Sequence, residues 1–231
     1  ENVFPYMDNY NYQKGMKAII QELKNFLKRK DIGTDSDRAL LLDFQATLEI
    51  KPEKAIKLEK DALAQIETIT ADNARLVSNL HANLGGLYRM NGHPDLAREH
   101  MEKSISLLDQ FNLLHINDSI PQIANYAMFL TEQQEPERGI SELQKLSGII
   151  KEYHSDDCLD YAKVQETLGT IYLMTANLPQ AKTHFKRAFK IYEKIWADEP
   201  EMIEAKYQEI QELYPQIGFC IGKNLSGLLT K

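Results

Sequence analysis

The sequence has few cysteines, no long apolar run and no excess of basic residues, and each absence excludes a class of protein. Only two of the 231 residues are cysteine, Cys158 and Cys220. Two are too few for a disulfide framework and predict free thiols in a reducing compartment. No stretch approaches the roughly 18 apolar residues of a membrane span. The net charge of −7 argues against duplex DNA or anionic membrane as a partner. We therefore expect a cytoplasmic protein that binds neither nucleic acid nor membrane.

Signatures of catalysis and of cofactor or metal binding are also missing. The sequence contains no Gly-rich phosphate loop ending in Gly-Lys-Ser/Thr. The richest cluster of metal-ligand residue types runs from His154 to Asp160, but no second His/Cys pair completes a zinc set. This cluster is better explained as a helix start with Ser155 or Asp156 as the N-cap residue. We expect no enzymatic activity, no metal and no cofactor.

What the sequence does contain is a period of 42 residues. Pro52, Pro94 and Pro136 are each 42 residues apart, and Pro179 comes one residue late. Two further positions keep the step without error: Asp43, Gly85, Ala127 and Gly169, and then Ala55, Ala97, Gly139 and Ala181. A fixed step of about 20 to 50 residues indicates a stack of supersecondary units. We number these repeats 1 to 4 in chain order.

Each repeat carries two apolar stripes with helical spacing. In repeat 2, Asn91 and Gly92 separate the two stripes, and Pro94 follows at the first position of the second helix, where its missing N–H costs no hydrogen bond. Thr34 with Asp37 predicts a capping box. Further N-cap candidates are Thr70 and Asp118. No alternating Val/Ile/Thr run favours a strand.

Small residues in the middle of helices predict close packing. Gly85 and Gly169 fall mid-helix, where glycine costs about 1 kcal/mol relative to alanine. Their counterparts twelve residues later, Ala97 and Ala181, are small as well. We therefore expect the two helices of each repeat to cross closely at these positions.

These residues resemble the tetratricopeptide repeat (TPR). The best match is Leu168-Gly169-x2-Tyr172, then Ala181-x3-Phe185, then Ala188. The 42-residue step is longer than the usual one and is similar to that of kinesin light chains and of some bacterial regulators. The resemblance implies an all-α, right-handed α-solenoid, a superhelix of TPR-like helix pairs. It implies a flank with one helix at 1–34 that could be a truncated repeat, four repeats over 35–197, and a degenerate fifth repeat or capping helices at 198–231.

The same resemblance implies a protein that binds a peptide or protein segment in a concave groove, between repeats 2 and 4. The first helix of each repeat would line this groove. The groove residues expected from the register are Asn79, Asn83, Arg89, Asn125, Met128, Lys163, Glu166, Thr167 and Thr170. Arg89, Lys163 and Glu166 would select charge. Met90, Met128 and Met174 are either soft groove contacts or core residues.

Asn83 and Asn125 occupy the same place in repeats 2 and 3, and asparagine is a poor residue for a helix interior. A side-chain amide can pair with both the N–H and the C=O of an extended peptide. The alternatives are that both are solvated polar positions or that they form helix–helix hydrogen bonds.

Two functional hypotheses stay open. The first is a scaffold that docks a protein partner, and the alternative is a peptide-responsive sensor within a larger bacterial transcription regulator or signalling protein. The chain begins at Glu1 rather than at a methionine, so we expect it to be a piece of a larger protein. Truncation at Glu1 could uncover an apolar face and allow a homodimer.

Overall fold

The computed structural model describes residues 9–28, 33–115 and 119–213, which contain ten α-helices and no strand. The helices are α1 Asn9–Leu27, α2 Asp35–Thr47, α3 Pro52–Leu63, α4 Ala74–Met90, α5 Pro94–Gln110, α6 Ser119–Glu132, α7 Pro136–Tyr153, α8 Leu159–Met174, α9 Leu178–Ile195 and α10 Pro200–Leu213. The chain divides into two compact units, Glu1–Leu113 and Leu114–Lys231, which we call the N-terminal and C-terminal units.

The N-terminal unit is built from the helix hairpins α2–α3 and α4–α5, which correspond to repeats 1 and 2. Helix α4 packs on both helices of the preceding hairpin, and α1 packs on α2. Fully buried Ala39, Ala62 and Leu80 form a core cluster from α2, α3 and α4. The two small residues let these helices approach the leucine closely.

The C-terminal unit repeats this arrangement with hairpins α6–α7 and α8–α9, repeats 3 and 4. Helix α8 packs on both α6 and α7, and α10 packs on α9. The largest fully buried side chains are Phe129, Phe185 and Tyr192. The direct α6–α8 contact places the first helices of two successive repeats side by side.

Most helix starts agree with the sequence patterns. Helices α3, α5 and α7 begin at the three prolines, and Thr34 with Asp37 forms the expected capping box. The expectation for Thr70 is wrong, because α4 begins at Ala74 and its N-cap residue is Asn73. The Asn73 carboxamide oxygen accepts the Thr70 N–H at 2.8 Å, which holds residues 70–73 in a turn before the helix. Asp118 lies outside the described residues.

In repeats 2, 3 and 4, the residue that terminates the first helix lies at the same repeat position and has a left-handed backbone conformation. Gly92, Gln134 and Ala176 have φ angles of 75°, 65° and 59°, and they are 42 residues apart. The next residue in each repeat donates its N–H to a carbonyl five residues earlier, as in a Schellman motif. Only one of the three positions carries the glycine that this conformation favours.

The close helix crossing predicted from the small residues is confirmed. A Cβ added at Gly139 would lie 2.6 Å from the carbonyl oxygen of Ala127, and one at Gly169 would lie 2.9 Å from the ring of Phe185. At Gly85 the added atom would lie 2.6 Å from the Met101 side chain. Backbone and side chains of the partner helix thus occupy the space that alanine would need.

Candidate functional site

The residues expected to line a groove fall on three helices. Asn79, Asn83 and Arg89 lie on α4 in the N-terminal unit. The other six lie in the C-terminal unit on two helices that pack against each other: Asn125 and Met128 on α6, and Lys163, Glu166, Thr167 and Thr170 on α8. The C-terminal unit therefore brings the larger set together on neighbouring helices.

In the N-terminal unit, Asn83 is bonded to two acidic residues. Its Nδ2 donates to Asp43 Oδ1 at 2.8 Å and to Glu59 Oε1 at 3.2 Å. These bonds join α4 to α2 and α3. Of the alternatives left open by the sequence, the helix–helix hydrogen bond is thus present at Asn83. Its role in pairing with a peptide stays a prediction, and its Nδ2 is already in use.

The Asp43–Glu59 pair holds a proton at neutral pH. Glu59 is only 2% exposed. Its burial, followed by the neighbouring charge of Asp43, raises the pKa of Glu59 to about 9, and burial also raises the pKa of Asp43. Glu59 Oε2 is buried without a donor. A hydrogen bond between protonated Glu59 and the Asp43 carboxylate leaves the pair with a single negative charge.

The contact between Asp43 and Glu59 does not follow from any pattern in the sequence. The available signal was Asp43 itself, a charged residue at the place where repeats 2 and 4 carry glycine. Its partner Glu59 is 16 residues away on the next helix, and no sequence rule links the two. The pair joins α2 to α3 within the hairpin of repeat 1, and Glu59 is buried there.

In the C-terminal unit, the predicted residues differ in accessibility. Asn125 and Lys163 are exposed, whereas Met128 and Thr167 are partly buried. Thr170 is buried with 9% exposure, so it offers little surface to a ligand. The Thr167 hydroxyl donates to the Lys163 carbonyl at 3.0 Å, one turn earlier on α8. Asn125, Met128, Lys163 and Thr167 are the accessible members, and we call them the α6–α8 face.

Glu166 takes part in a network that connects α8 with α9 and α10. Tyr192 Oη donates to Glu166 Oε2 at 2.6 Å, and Lys206 Nζ lies 3.0 Å from Oε1. Burial alone would lower the pKa of Lys206, but Glu166 and Glu209 outweigh it and raise this pKa. Burial, with Glu166, also raises the pKa of Tyr192. Both oxygens of Glu166 therefore have partners within the unit.

Of the three methionines considered as groove contacts, Met90, Met128 and Met174, two are exposed and are not core residues. Met90 is 78% exposed at the end of α4, and Met174 is 44% exposed at the end of α8. They occupy the same place in repeats 2 and 4, 84 residues apart. Met128 lies one turn earlier within its helix and is partly buried.

Histidines contact the first helix in two repeats. Nδ1 of His100 lies 2.8 Å from Nδ1 of His81, and Nδ1 of His184 lies 2.9 Å from Gln165 Oε1. Burial lowers the pKa of His81 to about 4, so its ring is neutral and one of the two nitrogens can accept the proton of the other. Each histidine of the second helix also stacks on the tyrosine of the TPR-like motif, Tyr88 or Tyr172. Because the same histidine contacts occur in repeats 2 and 4, we interpret them as part of the packing between the two helices of a repeat.

The His154–Asp160 cluster forms a loop and a helix start. Cys158 is the N-cap residue of α8, and its sulfur accepts the Tyr161 N–H at 3.5 Å. The expectation of Ser155 or Asp156 as N-cap is wrong, because the helix begins later and Ser155 Oγ caps the Asp157 N–H instead. Cys158 is a free thiol, and Cys220 lies outside the described residues. The described part of the chain contains no group of three or more His, Cys, Asp or Glu suited to a metal ion.

Residues 119–194, which contain α6 to α8 and all but the last residue of α9, match the tetratricopeptide repeat family. BtubC (BKLC) from P. vanneervenii is 19% identical, with a TM-score of 0.62 over 78% of this chain and 72% of that one. A putative kinesin light chain from Podosopora anserina with nearly identical TPR-like repeats is 13% identical, with a TM-score of 0.65 over 81% and 92%. MamA is 17% identical, with a TM-score of 0.53 over 82% and 97%.

No curated protein matches the sequence. The similar structures share the fold, and they confirm the predicted TPR resemblance and the all-α solenoid class. This fold generally mediates protein–protein interactions. Among the described residues, no helix is both long and apolar enough to cross a membrane.

Proposed function

We propose that this chain, with its tetratricopeptide-repeat fold, binds an extended segment of a partner protein on the α6–α8 face. The observation that carries the proposal is the direct packing of α6 on α8, with Asn125 and Lys163 exposed on these adjacent helices. An exposed asparagine within a helix contributes little to folding, since its helix propensity is low. Its amide is accessible to a ligand, whereas Nδ2 of Asn83, which is also exposed, already donates to Asp43 and Glu59.

The chemistry of the face suits a peptide backbone with an acidic side chain nearby. The Asn125 amide can accept a backbone N–H and donate to a backbone C=O at the same time. Met128 supplies a flexible apolar contact that adapts to different side chains. Lys163 Nζ lies 3.8 Å from Asp160 Oδ1, and the two side chains are 53% and 20% exposed. A solvent-accessible pair is weak, about 0–1 kcal/mol, so Lys163 can exchange Asp160 for a carboxylate of the ligand.

The N-terminal unit offers a second set of contacts on α4. Asn79 and Arg89 are partly exposed, and Met90 extends the surface at the end of the helix. We include these residues, with the Oδ1 atom of Asn83, as contacts of a partner segment on the N-terminal unit alone.

A peptide selection against the purified chain tests the proposal. Phage-displayed peptides would be selected on the wild-type protein and counter-screened on Asn125→Ala. The matched control is Gln144→Ala, an exposed amide on α7 away from the α6–α8 face. We expect peptides whose binding is lost with Asn125→Ala and kept with Gln144→Ala. Peptides that bind both variants equally would show that the face is misassigned, and the absence of any binding peptide would contradict the proposed function.

A further inference from the structure

A pocket of about 510 Å³ opens in the C-terminal unit beside α9, the end of α7 and the loop that leads into α8. None of its lining residues belongs to the α6–α8 face. Its charged lining consists of four cations and two carboxylates: Lys151, Arg187, Lys190, Lys194, Asp156 and Asp157. This excess of positive charge stands out in a chain of net charge −7.

Carboxylates compensate only half of the cations. Lys194 pairs with Asp157, and Lys151 Nζ lies 3.8 Å from Asp156 Oδ2. Arg187 Nη1 lies 3.5 Å from the neutral amide oxygen of Gln165. No ion pair joins Arg187 or Lys190 to another residue in the described part of the chain. Two positive charges are therefore left for a ligand.

These cations form a row along α9. Arg187, Lys190 and Lys194 are three and four residues apart, so they project from one face of the helix. Like charges at this spacing repel, and the row destabilises the free protein slightly. A bound anion would relieve this repulsion. The sequence shows the spacing, but it does not show that Lys151 and the two aspartates meet the row from another part of the chain.

We infer that this pocket binds one phosphate group in its doubly charged form. A phosphate dianion matches the two uncompensated charges, and its oxygens match the planar fork of Arg187 together with the ammonium of Lys190. A single carboxylate would neutralise only one of them. The pocket has the size of a small-ligand site, so it has room for the group that carries the phosphate. This site is independent of segment binding on the α6–α8 face.

Backbone amide NMR shifts measured during titration with inorganic phosphate test the inference. Sodium chloride keeps the ionic strength constant. We expect saturable shifts in residues 151–161 and 187–194, with an affinity that already falls as pH drops through neutrality, because the dianion of inorganic phosphate is protonated at a higher pH than a phosphate ester, whose second pKa is about 6. Absence of saturable shifts, equal shifts with chloride, or shifts confined to other helices would overturn the inference.

Variants of α9 give the matched comparison. Lys190→Ala should weaken phosphate binding about tenfold, since it removes one charge-assisted hydrogen bond. Lys186→Ala removes an exposed cation from the same helix but outside the pocket lining, and it should leave the affinity unchanged. If both variants weaken binding equally, phosphate is responding to the general charge of α9 and the pocket is not the site.

A second titration identifies the carrier of the phosphate. N-acetyl-phosphoserine amide would be compared with inorganic phosphate and with N-acetylserine amide. Tighter binding of the phosphoserine compound indicates a phosphorylated partner, whereas equal affinity indicates free phosphate, and both results uphold the site. Binding of the unphosphorylated compound to the same residues would contradict it.

Discussion

Asn83 Nδ2 lies 2.8 Å from Oδ1 of Asp43, so α4 of repeat 2 is hydrogen-bonded to α2 of repeat 1. Asp43 occupies the place of the mid-helix glycine in repeats 2 and 4. The departure from the repeat pattern therefore has a structural cause. The carboxylate of Asp43 accepts a hydrogen bond from the side-chain N–H of Asn83 and pairs with buried Glu59.

The stability of the N-terminal unit should fall as pH rises. Burial raises the pKa of Glu59 from 4.5 to about 9, so the folded state retains a proton that the unfolded state has lost. Glu59→Gln mimics the protonated form and should raise the free energy of unfolding by about 1–3 kcal/mol near pH 8. The gain should shrink towards pH 4, where both states of the wild type are protonated.

Urea unfolding at several pH values measures this effect. Glu53→Gln, an exposed change on α3, is the control and should show no such dependence on pH. A Glu59→Gln protein that is less stable than the wild type near pH 8 would contradict protonation of the pair.

Two glycines of α7 should respond to alanine in opposite directions. Gly139→Ala places a methyl group against the backbone of Ala127 and should cost about 1–3 kcal/mol of folding stability. Gly148→Ala meets nothing within 4 Å and should gain about 0.5–1 kcal/mol from helix propensity. Thermal unfolding of the two variants measures this difference. If Gly139→Ala were the more stable, α6 and α7 would not cross as closely as described.

At the left-handed position that ends the first helices, two substitutions should change stability in opposite directions. Ala176→Gly should stabilise the protein by about 0.5–1 kcal/mol, because φ is 59° there and glycine adopts this conformation without strain. Gly92→Ala, at the same place of repeat 2, should destabilise it by a similar amount. Denaturant midpoints of the two variants report the signs, and a destabilised Ala176→Gly protein would refute the shared helix ending.

The two asparagines in register should differ in their contribution to folding. Asn83→Ala removes the amide that contacts both Asp43 and Glu59 and should cost about 1–2 kcal/mol. Asn125→Ala changes an exposed position and should stay within about 0.5 kcal/mol of the wild type. Chemical unfolding of the single variants separates them. Equal losses would mean that Asn125 also has a structural role and is less available to a ligand.

Much of the fold follows from local signals. The prolines marked the starts of α3, α5 and α7, and the mid-helix glycines marked the close crossings, because both act through the backbone of their own helix. Other features depended on residues far apart in the chain. Thr70 and Ser155 have the right residue type for an N-cap, but competing turns in the loops determined where the helices begin.

The candidate site was less predictable for the same reason. The register placed Asn83 and Asn125 in equivalent positions, yet only the packed structure shows that Asn83 faces the Asp43–Glu59 pair. Glu166 was expected to select charge, and its contacts with Tyr192 and Lys206 depend on how α9 and α10 pack on α8. Sequence periodicity determines which face a residue lies on, but the neighbouring helices determine what it contacts.

Binding on the α6–α8 face is tested most directly by calorimetry of a selected peptide with the wild type, Asn125→Ala and Gln144→Ala. Asn125→Ala should weaken binding by about tenfold or more, as expected for lost amide hydrogen bonds to a peptide backbone. Gln144→Ala should bind like the wild type. Equal affinities for all three proteins would contradict a binding role for the α6–α8 face.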